Sequence, residues 1–225
     1  MRSFWSYITN GKYSIGCTGQ TVYLYDENNN EITKFKDIKY AYTPMFSPDG
    51  KLFLVKSTDG RLAVYSLETF SLIKKFRFSK VNFSQDDGFC FSPDGALFLN
   101  IERHNGTASL IIAIYNTDDF SLVKQVLLNN NMTVTHIEYD HSTNDYYVLG
   151  FINENRFVAK FIDYEIKNIT YITEKEFEFY LAYKDSQMRG FSTTSFELAG
   201  LDQDTLKEMN HTFAKLYMYH NKTTE

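Results

Sequence analysis

One five-residue string occurs twice in this chain. Phe46-Ser47-Pro48-Asp49-Gly50 returns as Phe91-Ser92-Pro93-Asp94-Gly95, 45 residues later, and each copy runs on into Leu-Phe-Leu, Leu52 to Leu54 and Leu97 to Leu99. The echo extends further, since Glu68-Thr69-Phe70-Ser71-Leu72-Ile73-Lys74 matches Asp118-Asp119-Phe120-Ser121-Leu122-Val123-Lys124. A period of this length, carried by a whole motif, constrains the fold more than any composition does. Each unit is a supersecondary element that cannot bury its apolar faces alone and must stack on its neighbours.

The pieces of the unit read as strands. Ser-Pro-Asp-Gly is a tight turn: proline presets φ near −65°, and aspartate and glycine accept the remaining turn geometry. After it, Leu52 to Lys56 is β-rich, and Ser57-Thr58-Asp59-Gly60 supplies a second turn with the Asp-Gly pair of hairpins. A third strand over Arg61 to Tyr65 and a fourth over Ser71 to Phe78 complete a four-stranded meander. Extended along the chain, the template puts third-strand ends at Tyr25-Asp26, Tyr65-Ser66, Tyr115-Asn116, Ile162-Asp163 and Leu201-Asp202. It thereby divides the chain into about five units, 6–38, 39–79, 85–129, 132–174 and 176–209, with a tail over 210–225. The expected fold is all-β, one domain of four-stranded antiparallel blades.

Composition agrees with one large core. A chain of 225 residues with 43% apolar side chains should bury roughly 70 to 75% of its unfolded surface, so stability needs neither disulfides nor a structural metal. The 23 basic and 28 acidic residues leave a net charge of −5, without the basic stripe that phosphate binding wants, so no nucleic-acid partner is expected. Runs free of polar side chains, such as Leu110 to Tyr115, are too short to span a membrane, so none is expected as a partner. Met1 to Tyr7 reaches polar Thr9-Asn10-Gly11 too soon for a secretory signal, and two cysteines, Cys17 and Cys90, suit a reducing compartment; the expected location is cytoplasmic. Both thiols read as small buried hydrophobes. The Asn-x-Ser/Thr triplets, beginning at Asn82, Asn105, Asn131, Asn168, Asn210 and Asn221, reflect asparagine abundance rather than glycosylation.

A period of 40 to 45 residues with four strands per unit resembles the WD-repeat β-propeller family and its bacterial WD-like relatives, over roughly residues 6 to 209. The resemblance rests on the two Phe-Ser-Pro-Asp-Gly turns and on the aromatic or aliphatic residue before Asp26, Asp163 and Asp202. It implies a disc of radially packed blades. The chain has no Trp-Asp pair, its single tryptophan Trp5 lying outside the third strands, and no Gly-His pair. The family's Asp-His-Ser-Trp hydrogen-bond network is therefore missing, and blade rigidity must come from the 20 Phe and 17 Tyr. Ring closure has two readings. Residues Thr212 to His220 pair with the first unit as a closing strand, or Asp202 caps a short helix carrying Leu206, Met209, Phe213 and Leu216; the period favours the strand.

Few residues suggest chemistry. His136, Glu138 and Asp140 lie at period two on one strand and are the candidate metal ligands. Same-face positions are about 7 Å apart along a strand, too spread for one metal without help, so a structural role is expected. No Gly-x-Ser-x-Gly elbow occurs, and Gly16-Cys17-Thr18-Gly19 lacks the lysine and helix of a phosphate loop and reads as a hairpin turn. Lys74-Lys75-Phe76-Arg77-Phe78 reads as an outer strand with alternating solvated and buried sides. The expected function is a non-catalytic protein-binding scaffold acting through loops or rim, without a cofactor. One specific form is a bacterial immunity protein that neutralises a toxin, suggested by small size, mild acidity and Asn/Lys/Ile-rich composition. The alternative is a propeller-type hydrolase or lyase with a channel-facing site.

Overall fold

The computed structural model describes residues 4–77, 88–104, 109–140, 144–174, 176 and 177. They form four antiparallel four-stranded sheets in chain order, each a meander whose strands neighbour one another as they follow in sequence. The first sheet holds β1 (Ser6–Thr9), β2 (Tyr13–Cys17), β3 (Val22–Asp26) and β4 (Glu31–Phe35). The second holds β5 (Ala41–Phe46), β6 (Leu52–Ser57), β7 (Arg61–Ser66) and β8 (Leu72–Arg77). The third holds β9 (Phe89–Phe91), β10 (Leu97–Arg103), β11 (Leu110–Asn116) and β12 (Leu122–Leu127), and the fourth β13 (Met132–Asp140), β14 (Asp145–Ile152), β15 (Asn155–Ile162) and β16 (Glu165–Tyr171). The third strands end at Asp26, Ser66, Asn116 and Ile162, the positions that the repeat marks. The expected fifth unit and the closing segment lie outside the described residues, apart from Glu176 and Phe177.

Alternation along the central strands explains the stacking. Phe53, Val55, Ala63 and Tyr65 of the second sheet pack with Ile15, Leu24 and Phe35 of the first. Their sequence neighbours Leu54, Leu62 and Val64 point the other way, onto Phe89, Phe91 and Phe98 of the third sheet. Cys90, Leu99, Ile112 and Ile114 continue the pattern onto Val134, Ile137, Val148 and Phe157 of the fourth. A strand apolar on both faces belongs in a sheet sandwiched between two others. The fourth strand of each unit is different. In β8, Ile73, Lys75 and Arg77 are exposed while Leu72, Lys74 and Phe76 are half-buried, and β12 is exposed along nearly all its length. The first strands thus sit inside and the fourth strands outside.

The aromatic residues supply cross-strand ladders in place of a tryptophan network. Phe53 stacks on its register partner Tyr65 at 4.7 Å between centroids, and Phe98 on Tyr115 at 4.8 Å, the equivalent pair one unit later. A bulge recurs between third and fourth strands at Leu24/Tyr25, Val64/Tyr65 and Ile114/Tyr115. After β16, residues 174, 176 and 177 are helical, at the point where the repeat begins a fifth unit. The cause is a capping box: Glu176 Oε2 accepts from the Thr173 amide at 2.8 Å, and Thr173 Oγ1 accepts from the Glu176 amide at 3.3 Å. Among the described residues, no helix is long and apolar enough to cross a membrane.

Candidate functional site

Up-and-down connectivity sorts the turns into two ends. The first-to-second and third-to-fourth turns of every sheet share one end; the second-to-third turns and the links between sheets share the other.

The first end carries both Ser-Pro-Asp-Gly turns, which are built alike. The Ser47 hydroxyl donates to Asp49 Oδ1 at 2.6 Å and accepts from the Leu52 amide at 2.9 Å, and Ser92 does the same with Asp94 and Leu97 at 2.6 and 2.9 Å. The Lys51 and Ala96 amides donate to the same carboxylates, and Gly50 and Gly95 hold φ of +69° and +72°. The Ser92 hydroxyl and the Ala96 amide hold Asp94 below the usual carboxylate range. For Asp49, burial works upward, and the Ser47 and Lys51 hydrogen bonds with the Lys51 charge outweigh it. Pro48 and Pro93 complete the two turns, and Pro48 lies so that a Cβ on Gly95 would meet its Cδ at 3.7 Å. The serine hydroxyl and the aspartate carboxylate of each motif are thus engaged in closing the turn.

The opposite end carries a cleft of about 610 Å³, lined among the described residues by Trp5, Thr18, Gly19, Gln20, Tyr40, Ala41, Tyr42 and Thr58. Four separate segments meet there: the approach to β1, the β2–β3 turn, the approach to β5 and the β6–β7 turn. Backbone hydrogen bonds fasten them. Ala41 N donates to Gly19 O at 3.2 Å, Thr58 N to Tyr40 O at 3.0 Å, and Trp5 N to Cys17 O at 2.8 Å. The Ser6 hydroxyl donates to the Tyr42 carbonyl. Over these walls Trp5 is 62% and Tyr40 53% exposed. Tyr40 sits at φ +55°, where a bulky side chain is strained and persists only because the surroundings fix it. Of Gly16-Cys17-Thr18-Gly19, read from the sequence as a hairpin turn, Gly16 and Cys17 end β2, and only Thr18 and Gly19 lie in the turn, with Thr18 N donating to Thr21 O and Gly19 at φ +81°. The sequence flagged these residues only as a turn and Trp5 only as absent from the strands. A lone tryptophan in a polar N-terminal stretch was the available signal.

Between the ends, a polar group is buried where the second and third sheets meet. Lys56 Nζ donates to Ile101 O at 3.0 Å and Gly88 O at 3.4 Å. Glu102 Oε1 accepts from Tyr115 Oη at 2.7 Å and Asn100 Nδ2 at 2.9 Å. Burial raises the Glu102 carboxyl, and those two hydrogen bonds and the Lys56 charge offset part of the rise. The sequence reading missed this group, because Lys56 and Glu102 are 46 residues apart and look like ordinary strand residues.

The candidate metal ligands share β13. His136 pairs in register with Leu149, its Nδ1 2.8 Å from Thr135 Oγ1; Glu138 is buried opposite Tyr147; Asp140 pairs with Asp145. Among the described residues, no three His, Cys, Asp or Glu side chains gather as a metal set. Both cysteines are buried and free, and burial pushes the Cys17 thiol up to about 12, which makes it inert, with a Ser6 hydrogen bond working the other way.

No protein-family model matches the chain, and no curated protein matches it. Solved structures do. Hydrazine synthase of Kuenenia stuttgartiensis superposes with a TM-score of 0.61 at 14% identity, covering 75% of this chain and 53% of that one. The Swd1 β-propeller domain of Myceliophteria thermophila gives 0.60 at 14% identity, covering 77% and 57%. The dihydro-heme d1 dehydrogenase NirN, in complex with DHE, gives 0.52 at 17%, covering 75% and 34%. The chain therefore spans about a third to three-fifths of the length of these structures. At such identities the likeness is one of architecture, and with the face-to-face stacking of four-stranded sheets it makes this chain a β-propeller fold.

Proposed function

We propose that the protein is a non-catalytic module that binds another protein, at the end of the molecule carrying the Trp5–Tyr40 cleft. The observation that carries this reading is the cleft itself, with two large aromatic side chains held outward over walls fastened between two sheets. Trp and Tyr dominate the energetics of protein interfaces, and a rigid setting reduces the entropy lost on binding. The described lining holds no carboxylate, imidazole, thiol or amine, which supports binding over acid–base or nucleophilic chemistry. The propeller architecture adds support by analogy only. A narrower form of the reading is a bacterial immunity protein that neutralises a toxin by capping it; the net charge of −5 would favour a basic partner.

Affinity capture from the source lysate tests the reading. A protein retained by the wild type and lost by a Trp5→Ala, Tyr40→Asn double variant is the expected result. Undiminished retention by the double variant would overturn it, as would a stoichiometric metal or small molecule in place of a protein.

A further inference from the structure

The outer strands β4, β8 and β12 can be compared residue by residue, because each shifts register against its third strand at the same place, between Leu24 and Tyr25, Val64 and Tyr65, and Ile114 and Tyr115. Counted from that bulge, Lys34, Lys75 and Gln125 are equivalent, paired with Tyr23, Ala63 and Ala113 in turn. Two of the three edges thus carry an exposed lysine at this position, a device that keeps an edge from adding strands, and β12 does not. Among the described residues β12 has a strand neighbour on one side only, and its exposed side chains are largely apolar, with Leu122 48%, Val123 53% and Leu127 62% exposed. We propose that β12 is a self-association edge, which pairs antiparallel with β12 of a second copy of this chain about a two-fold axis at Gln125.

Backbone geometry sets the register. Leu128 N donates to Leu110 O at 3.0 Å, and antiparallel alternation gives the same orientation to Val126 and Lys124, opposite Ile112 and Ile114. The N–H and C=O groups of Leu127 and Gln125 therefore turn away from β11, and Val123, the extra residue of the bulge, has no register partner there. Two copies of β12 must meet outward groups with outward groups. Two such registers overlap nearly the whole strand: one centred on Lys124, which would oppose the two lysines, and one centred on Gln125. The second sets Val123 against Leu127 twice and Gln125 against its own copy, where each carboxamide can both donate and accept. Lys124 then faces Val126, with its Nζ held 3.7 Å from the Tyr164 ring centroid. The same register in β4 or β8 would set Lys34 or Lys75 against itself, and like charges directly opposite repel. Of the three equivalent edges, β12 is the one complementary to itself, which selects a second copy as its occupant.

Sedimentation velocity of the full chain over a concentration series tests the pairing. One strand pair makes an interface at the small end of the specific range, so a monomer–dimer equilibrium with a dissociation constant of about 10 to 100 μM is expected. Gln125→Lys, which installs the residue of the two equivalent strands, and Gln125→Glu should each weaken the dimer about fivefold or more. Neither should change the melting temperature in dilute solution, since the side chain is exposed. An equimolar mixture of the two variants should regain the dimer, because the opposed side chains then attract. Hydrogen exchange of the wild type should slow at the Gln125 and Leu127 amides as concentration rises and stay constant at Lys124 and Val126. A chain that remains monomeric at about 300 μM would overturn the proposal and leave the edge to a strand of another protein. A dimer that both single variants keep would overturn it as well, by placing the contact on another surface.

Discussion

Gly50 and Gly95 isolate what one backbone angle contributes. A Cβ on Gly50 would meet nothing within 4 Å, and one on Gly95 only Pro48 at ordinary contact distance. Replacement by valine should therefore act through the positive φ alone and cost about 1 to 2 kcal/mol at each site, nearly equally. Urea denaturation of the two variants checks this, and sharply unequal losses would contradict the equivalence of the turns. Asp94 adds a pH signature. Its folded-state pKa is lowered, so its contribution is complete above the ordinary 3.8 and is lost as pH falls through the folded value. The stability gap between wild type and Asp94→Asn should be constant above about pH 5 and close below about pH 4. Urea midpoints measured across that range decide it.

At the scale of the element, the longest of the described strands carries a bulge. β13 shifts register between Val134 and His136, and Gly150 of β14 lies opposite Val134. A Cβ at Gly150 would fall 2.0 Å from the Thr133 carbonyl oxygen, a backbone atom that cannot swing aside. Gly150→Ala should cost about 2 kcal/mol or more, although alanine adds a single carbon. A melting temperature within a degree of wild type would show that the bulge relaxes freely. Gly88 marks a second close approach: a Cβ there would strike Ile101 Cδ1 at 2.3 Å and the Thr135 carbonyl at 2.8 Å, so the third sheet enters tight against β13. These glycines bring the inner strands together, while the outer strands β8 and β12 expose Lys75, Arg77 and Lys124.

For the whole molecule, stability is shared because each sheet is core to two neighbours. Phe98 is fully buried, stacks on Tyr115 and touches Phe76 of the second sheet at 6.1 Å and Phe120 at 6.4 Å. Phe98→Ala should cost about 3 to 5 kcal/mol. The loss should shift a single transition seen alike by circular dichroism and by Trp5 fluorescence, although Trp5 lies two sheets away. Transitions that separate between the two probes would mean that the sheets unfold independently.

What the sequence determined by itself was local and periodic. The Ser-Pro-Asp-Gly turns, the strand ends at Asp26, Ser66, Asn116 and Ile162, and the sandwiching of apolar-on-both-faces strands follow from turn stereochemistry and side-chain alternation, which act within a few residues. The capping box at Thr173 and Glu176 was equally local, yet the repeat template obscured it, because a period says where a unit should begin without saying that the chain must begin it as a strand. The cleft and the Lys56–Glu102 group were decided by tertiary structure alone. Trp5, Gly19, Tyr40 and Thr58 come from four turns or links, and Lys56 and Glu102 from two sheets. Such residues meet only once the sheets have stacked, because their proximity comes from packing between units and no periodicity within a unit encodes it.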